Sequence, residues 1–290
     1  MKQPHYRSQR PLGQPTRGKT AHNRLRRVDT FILLFDPGLI TRTDGEFADA
    51  QFVDLGYGAE PWTTLESAAR LRSLNPALRV LGVEIDRERV AAASTYVDEL
   101  TDFRLGGFDL PPLTDPDGRP ERVRLIRAFN VLRQYDESAV AEVHNVLGRH
   151  LLPGGLLIEG TSDPVGRHWV ANLLRKPAGS PETPLRDEGL LFSTNFRGGF
   201  EPRMFQPVLP KNYIHRVLTG EPIHRFFADW TRTYQLSLPL RSVGVRQLFV
   251  ASARGLADLG YHIDIRRRLL SRGYMRWISA AVPPSQVRAS

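Results

Sequence analysis

The chain of 290 residues contains no cysteine. This absence excludes disulfides, thiolate metal sites, iron–sulfur clusters and catalysis by a cysteine nucleophile. The eight histidines do not compensate, because none of them stands in the HxxxH or HExxH spacing of a metal site. We therefore predict that the protein binds no metal.

Long apolar runs are also missing from the sequence. No stretch of about 18 apolar residues occurs, so we predict no transmembrane helix and no membrane partner. The N-terminus is basic but lacks the apolar segment of a secretory signal, and we expect a cytoplasmic protein.

Acidic residues are absent from the first 28 positions, which hold most of the net charge of +9. We interpret residues 1–21, which are rich in Pro, Gly and Gln, as a basic arm without regular structure. Apolar residues at helical spacing then predict an amphipathic helix within a lead-in segment, 22–47, with its arginines on the open face. The eight basic residues are Lys2, Arg7, Arg10, Arg17, Lys19, Arg24, Arg26 and Arg27.

Short apolar strands alternate with helical segments between residues 48 and 160. Such an alternation implies right-handed crossovers and predicts a doubly wound α/β fold with a mostly parallel, Rossmann-like sheet. Thr63 and Glu66 fit a capping box at the start of the first crossover helix, and Asp86 fits the N-cap of the second.

The regular alternation stops after Gly160. Two strand-like segments joined by a proline-rich loop predict a hairpin that closes the sheet edge, so that the core domain spans 48–200. Helical patterns follow over 207–259, and HIDIR with YMRWISA predicts a final hairpin. We assign 201–281 as a C-terminal elaboration and 282–290 as a tail.

The stretch VDLGYGAEPWTT places two glycines directly after a buried strand and an acid. In an open parallel sheet, ligands bind beyond the carboxyl ends of the strands, where glycine lets the backbone approach them closely. A dinucleotide site would have a third glycine where Pro61 stands, and the carboxylate of Asp54 would repel a pyrophosphate. The same carboxylate suits the ammonium group of an amino-acid ligand.

V-D-L-G-Y-G resembles the acid-x-Gly-x-Gly motif of class I S-adenosylmethionine-dependent methyltransferases. The resemblance covers residues 48–160 and implies that S-adenosyl-L-methionine is the cofactor. It also implies that Asp54, Gly56, Tyr57 and Gly58 surround the methionine part of that cofactor.

Three later segments agree with the same family. V-E-I-D implies that Glu84, beside Ile85, binds both ribose hydroxyls. G-G-F-D-L-P resembles the adenine-contacting segment, which makes Phe108 and Asp109 candidates for stacking and for binding the exocyclic amine. Asn130 follows the fourth strand, at a position that faces the cofactor in this family.

The chain departs from the family pattern in three places. Glu60 stands where a third glycine is frequent, Gly107 stands where an aspartate is common, and the usual helix after Gly160 is missing. Taken alone, a GxG pair is a structural turn more often than a binding site. A binder that keeps the fold without catalysing transfer therefore stays an alternative.

The implied reaction is an in-line displacement that moves a methyl group to an N or O acceptor. The lack of cysteine disfavours pyrimidine C5 methylation, and the sequence F-N-V-L-R-Q-Y lacks the Asn/Asp-Pro-Pro-Tyr/Phe motif of exocyclic amino methylation. If a base is needed, His215 is the first candidate, and Asn130 is the other candidate for a catalytic role.

The basic arm is the main indication of a partner, because clustered positive charge attracts polyanions in a salt-dependent way. RNA is one candidate acceptor; a solvated tail is an equally good interpretation of the arm. A small metabolite is the alternative acceptor, with the N-terminal segment as a lid, and a nicotinamide-dependent oxidoreductase is a distant alternative. The residues that would touch the substrate or close the lid are Arg17, Lys19, Asn23, Arg24 and Arg27.

Overall fold

The computed structural model describes residues 13–14, 21–111 and 120–278. The strands are β1 (Gln51–Leu55), β2 (Val80–Glu84), β3 (Thr101–Leu105), β4 (Val123–Phe129), β5 (Leu151–Ser162), β6 (His168–Arg175), β7 (Arg186–Thr194) and β8 (Tyr274–Trp277). The helices are α1 (Arg26–Phe35), α2 (Gly38–Thr41), α3 (Trp62–Arg72), α4 (Arg87–Ala93), α5 (Ala139–His150), α6 (Lys211–Ile214), α7 (Pro222–Ser237), α8 (Val245–Asp258) and α9 (Arg267–Leu270).

All eight strands form one sheet in the order β3-β2-β1-β4-β5-β6-β7-β8. The pairs from β3 to β5 are parallel, and the pairs from β5 to β8 are antiparallel. The order reverses between β1 and β4, which creates the switch point where open α/β sheets bind ligands. The predicted fold class, a doubly wound and mostly parallel sheet, is confirmed.

Apolar side chains cover both faces of the sheet. On one face, α1 and α3 pack against β1, β4 and β5 in a cluster that continues to Trp169 of β6. On the other face, α5 covers the parallel half, while α7 and α8 cover the antiparallel half. Helix α7 buries the aromatic ring of Phe192 against Phe226 and Trp230. The C-terminal segment therefore completes the sheet that the parallel strands begin.

The sheet edge differs from the prediction. β6 and β7 form the predicted hairpin, but β8 pairs with β7 and forms the edge in its place. The predicted hairpin of HIDIR with YMRWISA is formed only in part, by one antiparallel bridge, Ile263 with Trp277, and two backbone hydrogen bonds. Met275 and Trp277 supply apolar surface that the helical cluster on β7 buries, which favours pairing of β8 with β7.

The predicted capping box of α3 is also wrong. Thr63 donates its hydroxyl to Asp54 at 3.1 Å, and Glu66 accepts the backbone N–H of Asn23. Both side chains are therefore used in tertiary contacts, and no side chain caps α3. The cap on α4 is confirmed, since Asp86 accepts the N–H groups of Glu88 and Arg89.

Two arginines of β4 are buried in a strand that is otherwise apolar. Arg124 donates to carbonyls in the segment that ends α2 and leads into β1, those of Leu39, Ile40, Arg42, Phe47 and Ala50. Burial and the charge of Arg42 lower the pKa of Arg124 to about 10. Arg127 lies at the other end of the strand and forms part of the site described below.

Candidate active site

The two glycines after β1 form a tight loop at the switch point. Gly56 has φ +69° and Gly58 has φ +92°, a region that favours glycine. Gly56 donates its N–H to the carbonyl of Val83 at 2.7 Å, which ties the loop to β2. Tyr57 turns inward between them, and its ring packs edge-on against Phe103. The loop thus presents backbone, with no Cβ at two positions, to the space beyond the strands.

The carboxylate of Glu84 is buried at the carboxyl end of β2. It accepts the N–H of Gly58 at 3.0 Å and the N–H of Ile85 at 2.9 Å. A guanidinium nitrogen of Arg89 lies 3.6 Å from it. These contacts hold one charged carboxylate against the glycine loop in a fixed orientation.

A cavity of about 20 Å³ lies between the loops that follow β1, β2, β3 and β4. Four of the predicted cofactor-binding residues line it: Gly56, Glu84, Ile85 and Phe108. The ring of Phe108 is 6% exposed and meets the ring of Tyr135 edge-on at 5.1 Å. The other lining residues are Gly13, Gln14, Leu55, Gly106, Gly107, Val131 and Tyr135.

Asp54 is occupied by other side chains of the protein. Arg127 donates to one carboxylate oxygen at 3.0 Å and approaches the other at 2.8 Å. Thr63 and Thr64 donate their hydroxyls to the same carboxylate at 3.1 and 2.8 Å. With four donors around it and 2% of its surface exposed, Asp54 holds the start of α3 against the end of β1.

The network continues from Asp54 to the N-terminal helix. Arg127 also lies 2.6 Å from Asp29 of α1, which accepts from Ser67 and from Arg70 of α3. Burial raises the pKa of Asp29, and the charges of Arg127 and Arg70 oppose that rise. Two buried carboxylates are thus matched by two guanidinium groups, which joins α1, β1, α3 and β4 below the glycine loop.

Asn130 ends β4 with a left-handed backbone, φ +60°. Its side chain exchanges two hydrogen bonds with Ser162, one to the hydroxyl at 3.3 Å and one from the N–H at 3.1 Å. Asparagine tolerates this conformation better than most residues. The turn directs the following residue, Val131, into the cavity wall.

A second polar group lies beside Ser162 and was missed by sequence reasoning. Burial alone would raise the pKa of Asp163, but hydrogen bonds from His168 and from nearby backbone N–H groups lower it to about 2. The Nδ1 atom of His168 lies 3.6 Å from that carboxylate, and its Nε2 atom is buried without a partner among the described residues. The pairing of β5 with β6 creates this contact, which no local sequence motif predicts.

Two predicted substrate residues of the N-terminal segment, Arg24 and Arg27, are hydrogen-bonded to other parts of the protein. Arg24 donates to Ser162 at 3.0 Å, and Arg27 donates to Ser193 and to the carbonyl of Arg272. The prediction that these arginines lie on an open helix face is wrong for Arg27, which also covers the ring of Tyr274. Burial lowers the pKa of both arginines. Arg17 and Lys19 lie outside the described residues, as does most of the predicted arm.

Asn23 and His215 are placed away from the cavity lining. Asn23 contacts Glu66 and Arg70 on α3. His215 is exposed at the end of α6, with its Nε2 atom 3.1 Å from Nζ of Lys211. Within the part of the chain that the structure describes, neither side chain lies in the cavity wall.

Asp109 follows Phe108 but does not line the cavity. Its Oδ1 atom is buried without a hydrogen-bond partner among the described residues. Its charge acts on His150, whose pKa burial lowers and Asp109 raises in part. The proposed contact of Asp109 with an exocyclic amine stays a prediction.

Two residues that sequence reasoning missed, Val131 and Tyr135, lie in the loop after β4. Their position in the chain could have predicted them, because this loop leaves the same edge of the sheet as the glycine loop. Arg127 gave no such signal, since a charged residue inside an apolar strand has many possible partners.

No group of histidine and acidic side chains in the described residues could hold a metal ion. The helices of that same part of the chain include none that is long and apolar enough to cross a bilayer.

No protein-family model matches the chain, and no curated protein matches it. Its fold is similar to several solved structures. One is a candidate sarcosine dimethylglycine methyltransferase from Galdieria sulphuraria, with 17% identity, a TM-score of 0.34 and 47% of each chain covered. The chain is also similar to the CMeT domain of the citrinin polyketide synthase, with 19% identity and a TM-score of 0.33 over 40% of this chain and 30% of that one.

A third similar structure is CalS10, an amino pentose methyltransferase from Micromonospora echinaspora, bound to S-adenosylmethionine. It has 15% identity and a TM-score of 0.32 over 61% of this chain and 69% of that one. The chain thus spans less than half the length of the first two proteins. Similarity at this level identifies neither ligand nor reaction.

Proposed function

We propose that the cleft between the loops after β1, β2, β3 and β4 binds S-adenosyl-L-methionine and that the protein is a class I methyltransferase. The observation that carries the proposal is the carboxylate of Glu84, buried at the end of β2 and oriented by the N–H groups of Gly58 and Ile85. A carboxylate in that place accepts hydrogen bonds from two vicinal hydroxyls at once. The ribose of a nucleoside has such a pair.

The neighbouring residues fit the rest of an adenosine. Ile85, Phe108 and Val131 offer apolar and aromatic surface on the side of Glu84 where a base would lie. The glycine loop offers N–H and C=O groups without a Cβ to a ligand's other end. A pyrophosphate fits this site poorly, because Pro61 stands where a dinucleotide-binding loop has its third glycine.

Asp54 takes a different role in this proposal from the one its motif implies. Its carboxylate is already neutralised by Arg127 and bonded to Thr63 and Thr64. We infer that Asp54 positions the glycine loop through these bonds, while the backbone of Gly56 and Gly58 contacts the amino-acid part of the cofactor.

The bound cofactor would supply a methyl group on a sulfonium, which is already reactive toward a nucleophile. The protein would then need to orient the acceptor in line and exclude water. The acceptor would enter beside the ends of β4 and β5, where Asn130, Ser162 and the Asp163–His168 pair lie. If the acceptor must lose a proton, His168 is better placed than His215, because Asp163 orients its ring.

RNA is one proposed acceptor, and the positive charge of the N-terminal segment is what supports it. Arg24 and Arg27 are bonded to other parts of the protein, so an RNA acceptor would depend on the remaining basic residues. A small metabolite is the alternative acceptor, and a binder without turnover is the third possibility. Deleting residues 1–20 separates the first two: an RNA methyltransferase loses RNA affinity without losing cofactor affinity, whereas loss of cofactor affinity indicates a lid.

Calorimetric titration with S-adenosylmethionine, S-adenosylhomocysteine and NAD tests the cofactor. We expect micromolar binding of the first two, weakened at least about tenfold in Glu84→Ala, because two hydrogen bonds to a charged group are lost. Glu88→Ala is the matched control, since Glu88 is exposed on the first turn of α4. Binding of NAD alone, or equal loss in both variants, would contradict the proposal.

A further inference from the structure

Two residues of the N-terminal arm, Gly13 and Gln14, lie at the mouth of the candidate cofactor cleft. The N–H of Gln14 donates to the hydroxyl of Tyr135. The side-chain amide of Gln134 donates to the carbonyl of Gln14 at 2.8 Å. Both partners belong to the loop after β4, more than 100 positions along the chain. The arm segment is thus hydrogen-bonded on both its N–H and its C=O side.

A side chain at Gly13 would be crowded by its neighbours and strained by the backbone. A Cβ there would lie 2.9 Å from Oη of Tyr135 and 3.2 Å from Cδ1 of Ile85. The ring of Phe108 would be 3.8 Å away, and the backbone has φ +145°. Gly13 therefore packs directly on the surface that the proposal above assigns to the adenine base.

The space that remains behind the arm is too small for the proposed ligand. The cavity offers about 20 Å³ to water-sized molecules. A volume of this size holds about one water molecule. The seated arm and a bound adenosine would also need the same faces of Ile85 and Phe108.

From these contacts we infer that residues 13–14 act as an autoinhibitory plug that competes with the cofactor for the cleft; this inference rests on the proposed function. The apparent dissociation constant rises in inverse proportion to the fraction of molecules with an open cleft. The inference differs from a lid, which would bind together with the cofactor and strengthen its binding. Displacing the arm would strengthen cofactor binding if the arm is a plug and weaken it if the arm is a lid.

Gly13→Val tests the plug in the intact chain, because a branched side chain would be crowded by Tyr135 and Ile85 and strained at φ +145°, and every charge of the arm is kept. If the arm is seated in about nine molecules of ten, S-adenosylhomocysteine should bind about tenfold more tightly to the variant than to the wild type. Gly18→Val, a glycine of the same arm, is the matched control and should bind like the wild type. Weaker binding in Gly13→Val would indicate a lid, and unchanged binding would remove the plug.

Limited digestion with trypsin provides a second readout. The arm contains Arg17 and Lys19, and cleavage after these residues should become faster when S-adenosylhomocysteine displaces the arm. Protection by the ligand would overturn the inference. If neither the wild type nor Gly13→Val binds S-adenosylhomocysteine, the proposed cofactor is wrong and the plug falls with it. If the wild type and Gly13→Val bind S-adenosylhomocysteine equally well, only the plug inference is contradicted.

Discussion

Arg127 and Asp54 face each other across the parallel pair of β4 and β1, with their side chains joined by contacts of 3.0 and 2.8 Å. Both are buried, and Arg127 also reaches Asp29 of the N-terminal helix at 2.6 Å. One guanidinium therefore links the loop of the candidate site to the helix before the sheet. Its energetic role can be measured directly.

Arg127→Met should destabilise the protein strongly. The change leaves Asp54 and Asp29 buried with one positive partner between them, and breaking a buried pair on one side costs about 3–5 kcal/mol. The free energy of unfolding in urea measures the loss. Arg70→Met is the control, because Asp29 then keeps Arg127 and Arg70 is partly exposed, so its loss should be clearly smaller. Equal losses in the two variants would show that Asp54 does not depend on Arg127.

Gly58→Ala should weaken binding of S-adenosylhomocysteine as well as stability. The backbone at Gly58 has φ +92°, which costs an alanine roughly 1–2 kcal/mol. Relief of that strain would move the N–H that Glu84 accepts. Gly220→Ala is the control, with φ +97° and no atom within 4 Å of the added Cβ. Both variants should lose similar stability in urea, and only Gly58→Ala should lose affinity by calorimetry.

Asp163→Asn should lower stability at neutral pH more than at pH 2. The folded protein lowers the pKa of Asp163 from its ordinary value of 3.8 to about 2. The ionised carboxylate therefore stabilises the fold in full at pH values above 3.8. That contribution is lost as the pH falls through the folded-state pKa. The urea midpoints of wild type and variant, compared at pH 7, 4 and 2, should therefore converge toward low pH. A difference that stays constant over this range would assign the effect to hydrogen-bond geometry alone.

Gly189→Ala should separate β8 from the sheet. Gly189 has φ +112°, and an added Cβ would lie 2.3 Å from the carbonyl oxygen of Trp277, a backbone atom that cannot rotate away. Amide hydrogen exchange should speed up in β8 while β1 and β4 stay protected. Gly199→Ala, with φ +81° and open space around the added Cβ, is the control. Unchanged exchange in β8 would show that the edge strand is held by its side chains alone.

Much of the parallel half could be predicted because its signals are local. Apolar strands followed by helical segments gave the order of elements, and Asp86 capped α4 as its position indicates. The glycine pair and Glu84 lie together because parallel strands share one carboxyl edge. Phe108 and Ile85 joined them for the same reason.

The errors came from residues whose partners are distant in the chain. Thr63 has the sequence context of a capping residue, but a buried carboxylate nine positions earlier takes its hydroxyl. Arg27 has the periodicity of an exposed helical position, but Ser193 and the turn at Arg272 accept its hydrogens. A local sequence pattern indicates only partners that are near in the chain. A buried polar or charged group needs a partner, and the fold can supply it from a distant segment.

The sequence by itself determined the alternation of strands and helices, the conformation that Gly56 and Gly58 make possible, and the carboxylate at the end of β2. These follow from steric and hydrophobic preferences that act over a few residues. Only the tertiary structure decided that Arg127 neutralises Asp54, that Asp163 faces His168, and that Gly13 packs against Tyr135. Such contacts are decided by burial and electrostatics, which depend on the packing of the whole chain around each charge.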